Sequence, residues 1–453
     1  MLGNGQTRSI TLETDKLTLS GGQAQVKNDP EHPDDVGIVI APYSAERAIV
    51  IGEDVGAPNT LYITDTSMTT FNAPALVIGA EAGASPITVN ASIDRSGSKL
   101  ALLSGAAITQ AEGSISALAL GVSAGGSVSL DGPSNNNNVS YLSIRTTSGD
   151  INFANNGGAL TLAALSGGVD DPVAINGVST GSGNIRLSAL GRIDLSYAPV
   201  VVTDMTGTVT LSSDMGDITD STAGIKVFAY GLDASAYSGI GSLESPIKNL
   251  KTQVSRLKAV NSMANDVAIA NWGALTTDDV TAISSPGQVF IVTHSPLTIG
   301  MAGVTAIGNV TLVAGGPPPG GATDNLTING NVTSTSGSIA VVAGNSISIS
   351  DSVTLYAPNG SIASMSGISP PEVGLPPDDQ GQMINALKSE TQLGSPPLGG
   401  LPPLHLGSGT SAGTQTFEGG VVGGEEPDTF GSQGSTGNGQ SGRRGGKPGQ
   451  CRV

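Results

Sequence analysis

The feature that most constrains this fold is a strand-like alternation of apolar residues. In residues 336–351, Ile339, Val341, Ala343, Ile347 and Ile349 stand at alternate positions, and most of the residues around them are Ser, Gly, Asn or Ala. A period of two predicts strands with one buried face. Each strand is short, because Gly, Asn or Asp interrupts the pattern after three to five residues.

The same alternating pattern recurs along the chain at a nearly constant interval. Gly-Ser-Ile occurs at 337–339 and again at 360–362, and the apolar positions of 185–187 recur at 209–211 with almost the same offset. A repeat of this length with short strands and no helical pattern predicts an all-β, parallel β-helix (β-solenoid). At about 22 residues per coil, we expect about 16 coils and a rod roughly 75 Å long. A β-propeller or a β-sandwich is the alternative, although both favour hairpin turns and longer strands.

Three stretches of the sequence depart from the regular repeat of short strands. Residues 245–266 carry a three-to-four apolar spacing that a short helix could also produce, but they lie between solenoid phrases and are interpreted as a variant coil. Residues 131–140 and 315–325 are rich in Asn, Gly and Pro and are predicted to be loops that bulge from a coil. The segment 150–161 also resembles 266–276, which indicates a longer internal match.

The composition changes after Gly367. Residues 368–453 are rich in Pro and Gly, and Pro cannot donate a hydrogen bond to a strand ladder. We therefore predict two regions: a parallel β-helix over 1–367 and a disordered tail over 368–453.

The charge, the cysteine content and the lack of long apolar runs limit the classes of partner and of covalent or membrane attachment that are expected. The net charge is −18, from 37 acidic and 19 basic residues, which argues against nucleic acid. The single cysteine, Cys451, allows no intrachain disulfide. There is no apolar run of 18 residues, so no transmembrane helix is expected, and the first residues lack the pattern of a signal peptide. The chain is expected to be the distal piece of a longer reading frame.

Little in the sequence indicates catalysis. Adjacent acidic pairs would point to opposite faces of a strand, and in turns they usually cap or face solvent; the pairs are Asp34-Asp35, Asp170-Asp171, Asp278-Asp279, Asp378-Asp379 and Glu425-Glu426. The three histidines, His32, His294 and His405, share no ligand spacing, and Trp272 is predicted to lie in the core or at a corner. We predict no enzyme activity, catalytic residue, metal or cofactor. The alternative is a carbohydrate-active β-helix enzyme, a polysaccharide lyase or hydrolase, which would cluster three or more carboxylates with an Arg on one face of adjacent coils.

One loop is a candidate for recognition. Asn135, Asn136, Asn137 and Asn138 form a polar run between two strand phrases. Loops that project from a rigid scaffold often carry binding function. These four residues are therefore the predicted recognition loop, with a flexible insertion as the alternative.

The stretch 237–276, YSGIGSLESPIKNLKTQVSRLKAVNSMANDVAIANWGALT, resembles a phrase that recurs in filamentous haemagglutinin-like large exoproteins, the TpsA side of bacterial two-partner secretion. The residues that carry the resemblance are Gly239, Ile240, Gly241, Pro246, Leu250, Leu257, Ala259, Asp266, Asn271 and Leu275. Residues 47–89 also look like an adhesin repeat. The similarity covers about residues 40–367. No part of the sequence resembles the secretion domain of that family.

This resemblance implies a right-handed parallel β-helix that is exported through a TpsB-type outer-membrane transporter. It implies an extracellular or bacterial cell-surface location and an adhesive role, with host or bacterial cell-surface glycans or proteins as partners. A spacer without binding of its own is a further alternative. Because the end coils of a solenoid expose strand edges, self-association through open ends is also expected.

Overall fold

The alternating segments form short strands, and almost every strand pairs in parallel with the strand one repeat later. The computed structural model describes residues 9–18, 37–71, 73–132, 136–165, 175–282, 287–315, 324–367 and 416–419. It is all-β apart from one short helix and one 3-10 turn, and its parallel strands stack as a β-solenoid. The predicted fold class is confirmed, while the right-handed winding that the resemblance implies stays a prediction.

The strands fall into two parallel sheets that face each other across the core. Sheet A contains β1 (Ser9–Glu13), β2 (Gly37–Ala41), β5 (Ala75–Ala80), β7 (Ile93–Ser104), β9 (Ile115–Ala124), β11 (Asn138–Thr146), β13 (Leu160–Leu162), β16 (Val178–Thr180), β18 (Ile193–Asp194), β19 (Val200–Val202), β21 (Ile218–Thr219), β22 (Val227–Phe228), β24 (Leu250–Gln253), β26 (Val267–Asn271), β28 (Val289–Thr293), β31 (Val310–Ala314), β34 (Ile339–Ala343) and β37 (Ile362–Ser366).

Sheet B completes each coil on the other side. It contains β3 (Ala48–Ile51), β4 (Thr60–Ile63), β6 (Ile87–Val89), β8 (Ile108–Gln110), β10 (Val128–Leu130), β12 (Ile151–Asn155), β17 (Ile185–Ala189), β20 (Thr208–Ser213), β23 (Gly231–Ala236), β25 (Arg256–Asn261), β27 (Leu275–Ala282), β29 (Leu297–Ile299), β30 (Val304–Ala306), β32 (Leu326–Ile328), β33 (Val332–Ser334), β35 (Ile347–Ile349), β36 (Thr354–Ala357) and β38 (Thr416–Gly419). From β27 onward each coil supplies two short strands to this sheet, because β27 pairs with both β29 and β30.

The number of coils follows from the register on sheet B. Twelve parallel steps lead from Ile49 to Ile349. A coil therefore averages about 25 residues, a usual length for a solenoid repeat. The solenoid has about 12 turns, which at ~4.8 Å per coil make a rod of roughly 58 Å. The expectation of 16 coils is wrong because some coils are much longer than the assumed repeat, such as the one from Ile151 to Ile185.

The core is a continuous set of apolar columns inside the coils. Ile185 pairs with Val209, and Leu187 with Leu211, as the recurrence in the sequence predicts. All four side chains are fully buried. Because each buried Ile, Leu or Val contributes about 1.5–3 kcal/mol, the stacked columns rather than any single coil hold the rod together.

Asparagines brace several corners where the chain leaves one sheet for the other. Asn155, Asn261 and Asn271 are fully buried at the ends of β12, β25 and β26. In each case the side-chain oxygen accepts a hydrogen bond from a backbone N–H of the preceding coil, and the side-chain nitrogen donates to carbonyls of the following corner. The match between 150–161 and 266–276 is therefore a shared corner motif, since β12 lies in sheet B and β26 in sheet A.

Sheet A forks between β11 and β26. The first half of β11 pairs with β13, and this branch continues through β18 to β21. The second half of β11 pairs with β16, and this branch continues through β19 and β22 to β24. The branches rejoin at β26, where Ile240 pairs with Val267 and Leu250 pairs with Ile269. Within the fork each coil carries a short insertion between its two sheet A strands. The first insertion contains the antiparallel pair β14 (Ala164–Leu165) and β15 (Ile175–Asn176).

The stretch 245–266 lies in this fork as a variant coil, as predicted. It contains a 3-10 turn at Pro246–Lys248 followed by β24 and β25. Leu250, Val254 and Leu257 are buried, so their spacing reflects two strands separated by a corner and not a helix face.

Both ends of the rod carry atypical elements. Strand β4 pairs with β3 on the side away from β6, and the helix α1 (Asp65–Thr70) follows it, capped by the Thr64 hydroxyl. Met68 and Phe71 pack into the core cluster, so this segment closes the first coils, as terminal caps do in repeat proteins. At the other end, β38 pairs with β36. The rest of the predicted disordered tail, 368–415 and 420–453, lies outside the described residues.

Candidate functional site

The predicted recognition loop is only partly accessible. Asn136 and Asn138 are exposed, Asn137 is fully buried, and Asn135 lies outside the described residues. The side chain of Asn137 accepts from the Ile115 N–H at 2.8 Å and donates to the Leu130 carbonyl at 3.0 Å. Asn137 is therefore a corner brace, and its prediction as an exposed residue is wrong. The burial of Gln110 on the neighbouring coil, which bonds the same side chain, is not visible in the sequence.

One acidic pair does share a face of a strand. In β27 the inward residues are Thr277 and Val280, both fully buried, while Asp278 and Asp279 between them are half-buried. The register with β25 shifts at this point, so two residues oppose Lys258 alone. This β-bulge turns both carboxylates outward, and the expectation that strand neighbours point to opposite faces is wrong here.

An arginine accompanies this acidic pair. The Arg256 guanidinium contacts the Asp278 carboxylate across the two coils, and the Asp278 hydrogen bond and charge raise the pKa of Arg256, with Asp233 adding a weaker contribution. A second arginine, Arg192, binds Asp217 through both carboxylate oxygens. Each arginine thus binds one carboxylate directly. Around Arg256, Asp233 on β23 joins Asp278 and Asp279 on β27, which gives three carboxylates and an Arg on the outer face of adjacent coils, the grouping that the enzyme alternative predicts. Within the described part of the chain, no group of three or more His, Cys, Asp or Glu side chains could hold a metal ion.

His294 and Trp272 meet at a corner of sheet A. The two rings stack with centroids 4.6 Å apart and planes at 23°. His294 directly follows β28 and is half-buried, and burial lowers the pKa of its imidazole. Trp272 packs against a small apolar cluster on the outside of sheet A, which agrees with its predicted corner position. His32 and His405 lie outside the described residues, as do the other four acidic pairs.

Large apolar side chains are exposed on one corner of four successive coils. Leu190, Met215, Tyr237 and Met263 each follow the end of a sheet B strand, and their exposed fractions are 40%, 67%, 39% and 55%. The Met215 N–H donates to the Leu190 carbonyl, and the Met263 N–H donates to the Tyr237 carbonyl. We call these four residues the corner ladder. Elsewhere the outward positions of sheet B are mostly Ser and Thr, so the ladder is a local apolar strip on a polar rod.

A polar groove lies on a different corner. It has a volume of about 420 Å³ and is lined by Glu81, Ser123, Arg145 and the glycines Gly105 and Gly125. Arg145 and Glu81 form an ion pair at 2.6 Å although they are 64 residues apart in the chain. The Ser123 hydroxyl donates to the same carboxylate oxygen, so Glu81 is already engaged by two partners.

The fork in sheet A contains three buried charged side chains, those of Asp220, Lys226 and Lys251. The Lys251 ammonium binds the Asp220 carboxylate at 3.1 Å, with side chains 5% and 0% exposed. Lys226 is 8% exposed, and its ammonium donates to the Ser196 carbonyl at 2.8 Å. Burial is the largest cause that lowers the pKa of Lys251, and the nearby charge of Lys226 lowers it further. The sequence does not reveal this cluster, because Asp220 and Lys226 lie in the insertion between β21 and β22, whereas Lys251 lies in β24 of the next coil.

No helix of the described residues is long and apolar enough to cross a membrane. Comparison of the chain with protein-family models, with curated proteins and with solved structures gives no match. The resemblance to filamentous haemagglutinin-like exoproteins therefore stays a prediction from the sequence.

Proposed function

We propose that this chain is the rod of a bacterial cell-surface adhesin and that it binds a protein or glycan partner through the corner ladder. The observation that supports this proposal is the placement of Leu190, Met215, Tyr237 and Met263 on successive coils, where they expose apolar surface without a partner. Soluble proteins seldom leave contiguous apolar strips exposed unless a partner covers them.

The architecture suits such a role. Backbone hydrogen bonds join each coil to the next, and the core columns run through the whole stack. A rod of this kind holds its side faces in a fixed geometry, so that several weak contacts on successive coils can act together. Tyr and Met are also favourable at contact surfaces, because an aromatic ring or a thioether provides large contact area.

An adhesion assay with matched variants tests the proposal. Beads coated with the full chain are allowed to settle on bacterial and host cells and on arrays of cell-surface glycans. The variant Leu190→Ser, Met215→Ser, Tyr237→Ser and Met263→Ser removes the ladder. The control Thr298→Ser, Thr305→Ser, Thr327→Ser and Thr333→Ser changes four outward positions on the polar face.

We expect the ladder variant to lose at least about tenfold in attachment, because truncation of central apolar contacts commonly costs over ~1 kcal/mol each. The control should attach as the parent does. Equal attachment by all three forms would refute the ladder as the binding face. No attachment by the parent to any surface would instead support the spacer alternative and reject adhesion.

Export to the cell surface through a TpsB-type transporter is part of the same proposal. Its support is the sequence phrase at 237–276. Antibody labelling of intact source cells tests it, since a surface protein is stained without permeabilisation. Staining that appears only after permeabilisation would contradict the location without affecting the fold.

The enzyme alternative is supported by the acidic group around Arg256, where Asp278 is already bound by the guanidinium, and more weakly by the groove around Glu81. Hydrolysis of a glycosidic bond needs two carboxyl groups about 5–10 Å apart, one of them free to move a proton. Glu81 is the only carboxylate among the described residues of the groove, and it is bound by Arg145 and Ser123. The groove is better suited to holding a small polar ligand than to this chemistry.

A further inference from the structure

The fork in sheet A encloses more positive than negative charge. Lys226 and Lys251 lie on adjacent coils, and the Lys226 backbone N–H donates to the Lys251 carbonyl at 2.9 Å. Asp220 is the one carboxylate in contact with either ammonium group among the described residues. A further acid of the fork, Asp194, accepts from the Ser196 N–H and acts on the exposed Arg192. With both lysines protonated, the cluster therefore carries one uncompensated positive charge.

An uncompensated buried charge is costly. Removing an ammonium group from water without a counter-ion costs several kcal/mol even after the protein relaxes. Within the described part of the chain, the Lys226 ammonium contacts only the Ser196 carbonyl, which is a neutral acceptor. Such an arrangement is stable if a negative ion accompanies the lysines.

A second observation points to the same place. The side chain of Asn249 is fully buried, and neither its nitrogen nor its oxygen has a hydrogen-bond partner among the residues that the structure describes. The Asn249 carbonyl accepts from the Lys251 ammonium at 2.8 Å, so this residue borders the cluster. Unlike Asn155, Asn261 and Asn271, which are all satisfied, Asn249 braces no corner. Buried amides without partners are rare, and a bound water or ion is one of the explanations for them.

We propose that a small monovalent anion, a halide or a simple carboxylate, binds in the fork beside the Lys226 ammonium group and the Asn249 side-chain amide. The Lys251 ammonium adds positive charge nearby, while its three N–H groups already donate to the Asp220 carboxylate and to two backbone carbonyls. The anion neutralises the excess charge, and the Asn249 Nδ2–H₂ group donates to it. Bound in this way, it links the coils of β22 and β24, where sheet A is divided and each strand is only two to four residues long. The anion is thus a structural ligand that stabilises the weakest part of the rod.

Thermal unfolding of the full chain in different salts tests this site. The melting temperature is measured at pH 7 and constant ionic strength in sodium gluconate, whose anion is too large for the fork, and in mixtures with increasing chloride or formate. A ligand that binds only the folded state raises the melting temperature with its concentration. We expect a rise of about 2 °C or more between gluconate and saturating chloride or formate.

Three variants locate the effect. Lys226→Met and Asn249→Leu should each abolish the dependence on chloride, while Lys258→Met, which removes an exposed lysine of β25, should retain it. Asn249→Leu is informative in gluconate as well. If no anion binds, replacing an unsatisfied amide with an apolar side chain stabilises the protein in every salt alike.

Identical melting temperatures of the parent chain in gluconate and chloride would overturn the proposal and indicate that water or loss of a proton from Lys251 relieves the excess charge. A chloride effect that persists in Lys226→Met would overturn it as well. Crystals grown in bromide give an independent check, since the anomalous peak should lie within about 3.5 Å of the Lys226 ammonium nitrogen.

Discussion

The backbone N–H of Val254 donates a hydrogen bond of 2.9 Å to the side-chain oxygen of Asn271, which lies 17 residues later and on the next coil. The same oxygen accepts from the Thr252 hydroxyl, and the Asn271 nitrogen donates to the Val254 and Gly273 carbonyls. One buried side chain thus satisfies backbone groups on both sides of a corner.

Replacing Asn271 with Ala should therefore destabilise the rod strongly. Buried donors and acceptors that lose their partner cost about 1–3 kcal/mol each, so we expect a loss of at least about 2 kcal/mol in the free energy of unfolding, measured by urea denaturation. Asn359→Ala is the control, because Asn359 is exposed and makes one hydrogen bond. A loss for Asn271→Ala no larger than that of the control would contradict the bracing role.

Gly79 should be intolerant of any side chain. Its φ is +91°, and a Cβ atom at this position would lie 2.0 Å from the Leu103 carbonyl oxygen of the next coil. Gly79→Ala must therefore push the two coils apart, and we expect a clear fall in melting temperature. Gly97 has open space around it and no positive φ, so Gly97→Ala should be neutral or slightly stabilising through reduced freedom of the unfolded chain. Equal effects of the two substitutions would refute the close approach.

The stacked pair of His294 and Trp272 should make part of the stability dependent on pH. Burial lowers the pKa of His294 in the folded chain below the 6.5 of the unfolded side chain. The unfolded state then binds more protons in this window, so this contribution to stability is complete above about pH 6.5 and is lost as the pH falls toward the folded pKa.

Comparison with His294→Phe isolates that contribution, since a Phe ring can still stack on Trp272. The parent should lose more stability than the variant between pH 7.5 and 5. Trp272 is the single tryptophan of the chain, so its fluorescence reports directly on this corner. Parallel pH profiles for parent and variant would show that His294 does not titrate differently on folding.

Removal of β38 should promote self-association. This strand covers the free edge of β36, with Phe417 in register with Leu355. A chain ending at residue 367 would leave this edge unpaired, and unpaired edges recruit strands from other molecules. Light scattering should show larger particles for the shortened chain than for the full chain. A full-length variant Phe417→Pro, which removes a backbone donor, should behave like the shortened chain, and monodisperse solutions of both would contradict the capping role.

The sequence predicts the solenoid well because its alternation and its repeat interval are local properties. The isoleucines of the two Gly-Ser-Ile tripeptides, Ile339 and Ile362, do lie in register at the start of β34 and β37. The coil number is overestimated because insertions such as the one before Ile185 lengthen individual coils without disturbing the pattern on either side.

The site features are harder to predict because they depend on the register between distant segments. The exposed corner ladder combines Leu190, Met215, Tyr237 and Met263, which share no motif and meet only because each follows a sheet B strand. The outward position of Asp279 depends on a β-bulge, and no residue type in β27 predicts that bulge from the sequence. The lysines of the fork look like ordinary surface charges in the sequence, and only the split of sheet A buries them.

The winding of the backbone also determines how the rod responds to force. The bonds between coils run along the long axis, so every interface bears the tension applied to the two ends, and an end coil, which has only one neighbour, opens first. Each opened coil releases roughly 85 Å of extended chain in place of ~4.8 Å of stacked height. A tether built in this way lengthens by steps under shear and absorbs mechanical work at each one, before its attachment at either end has to give way.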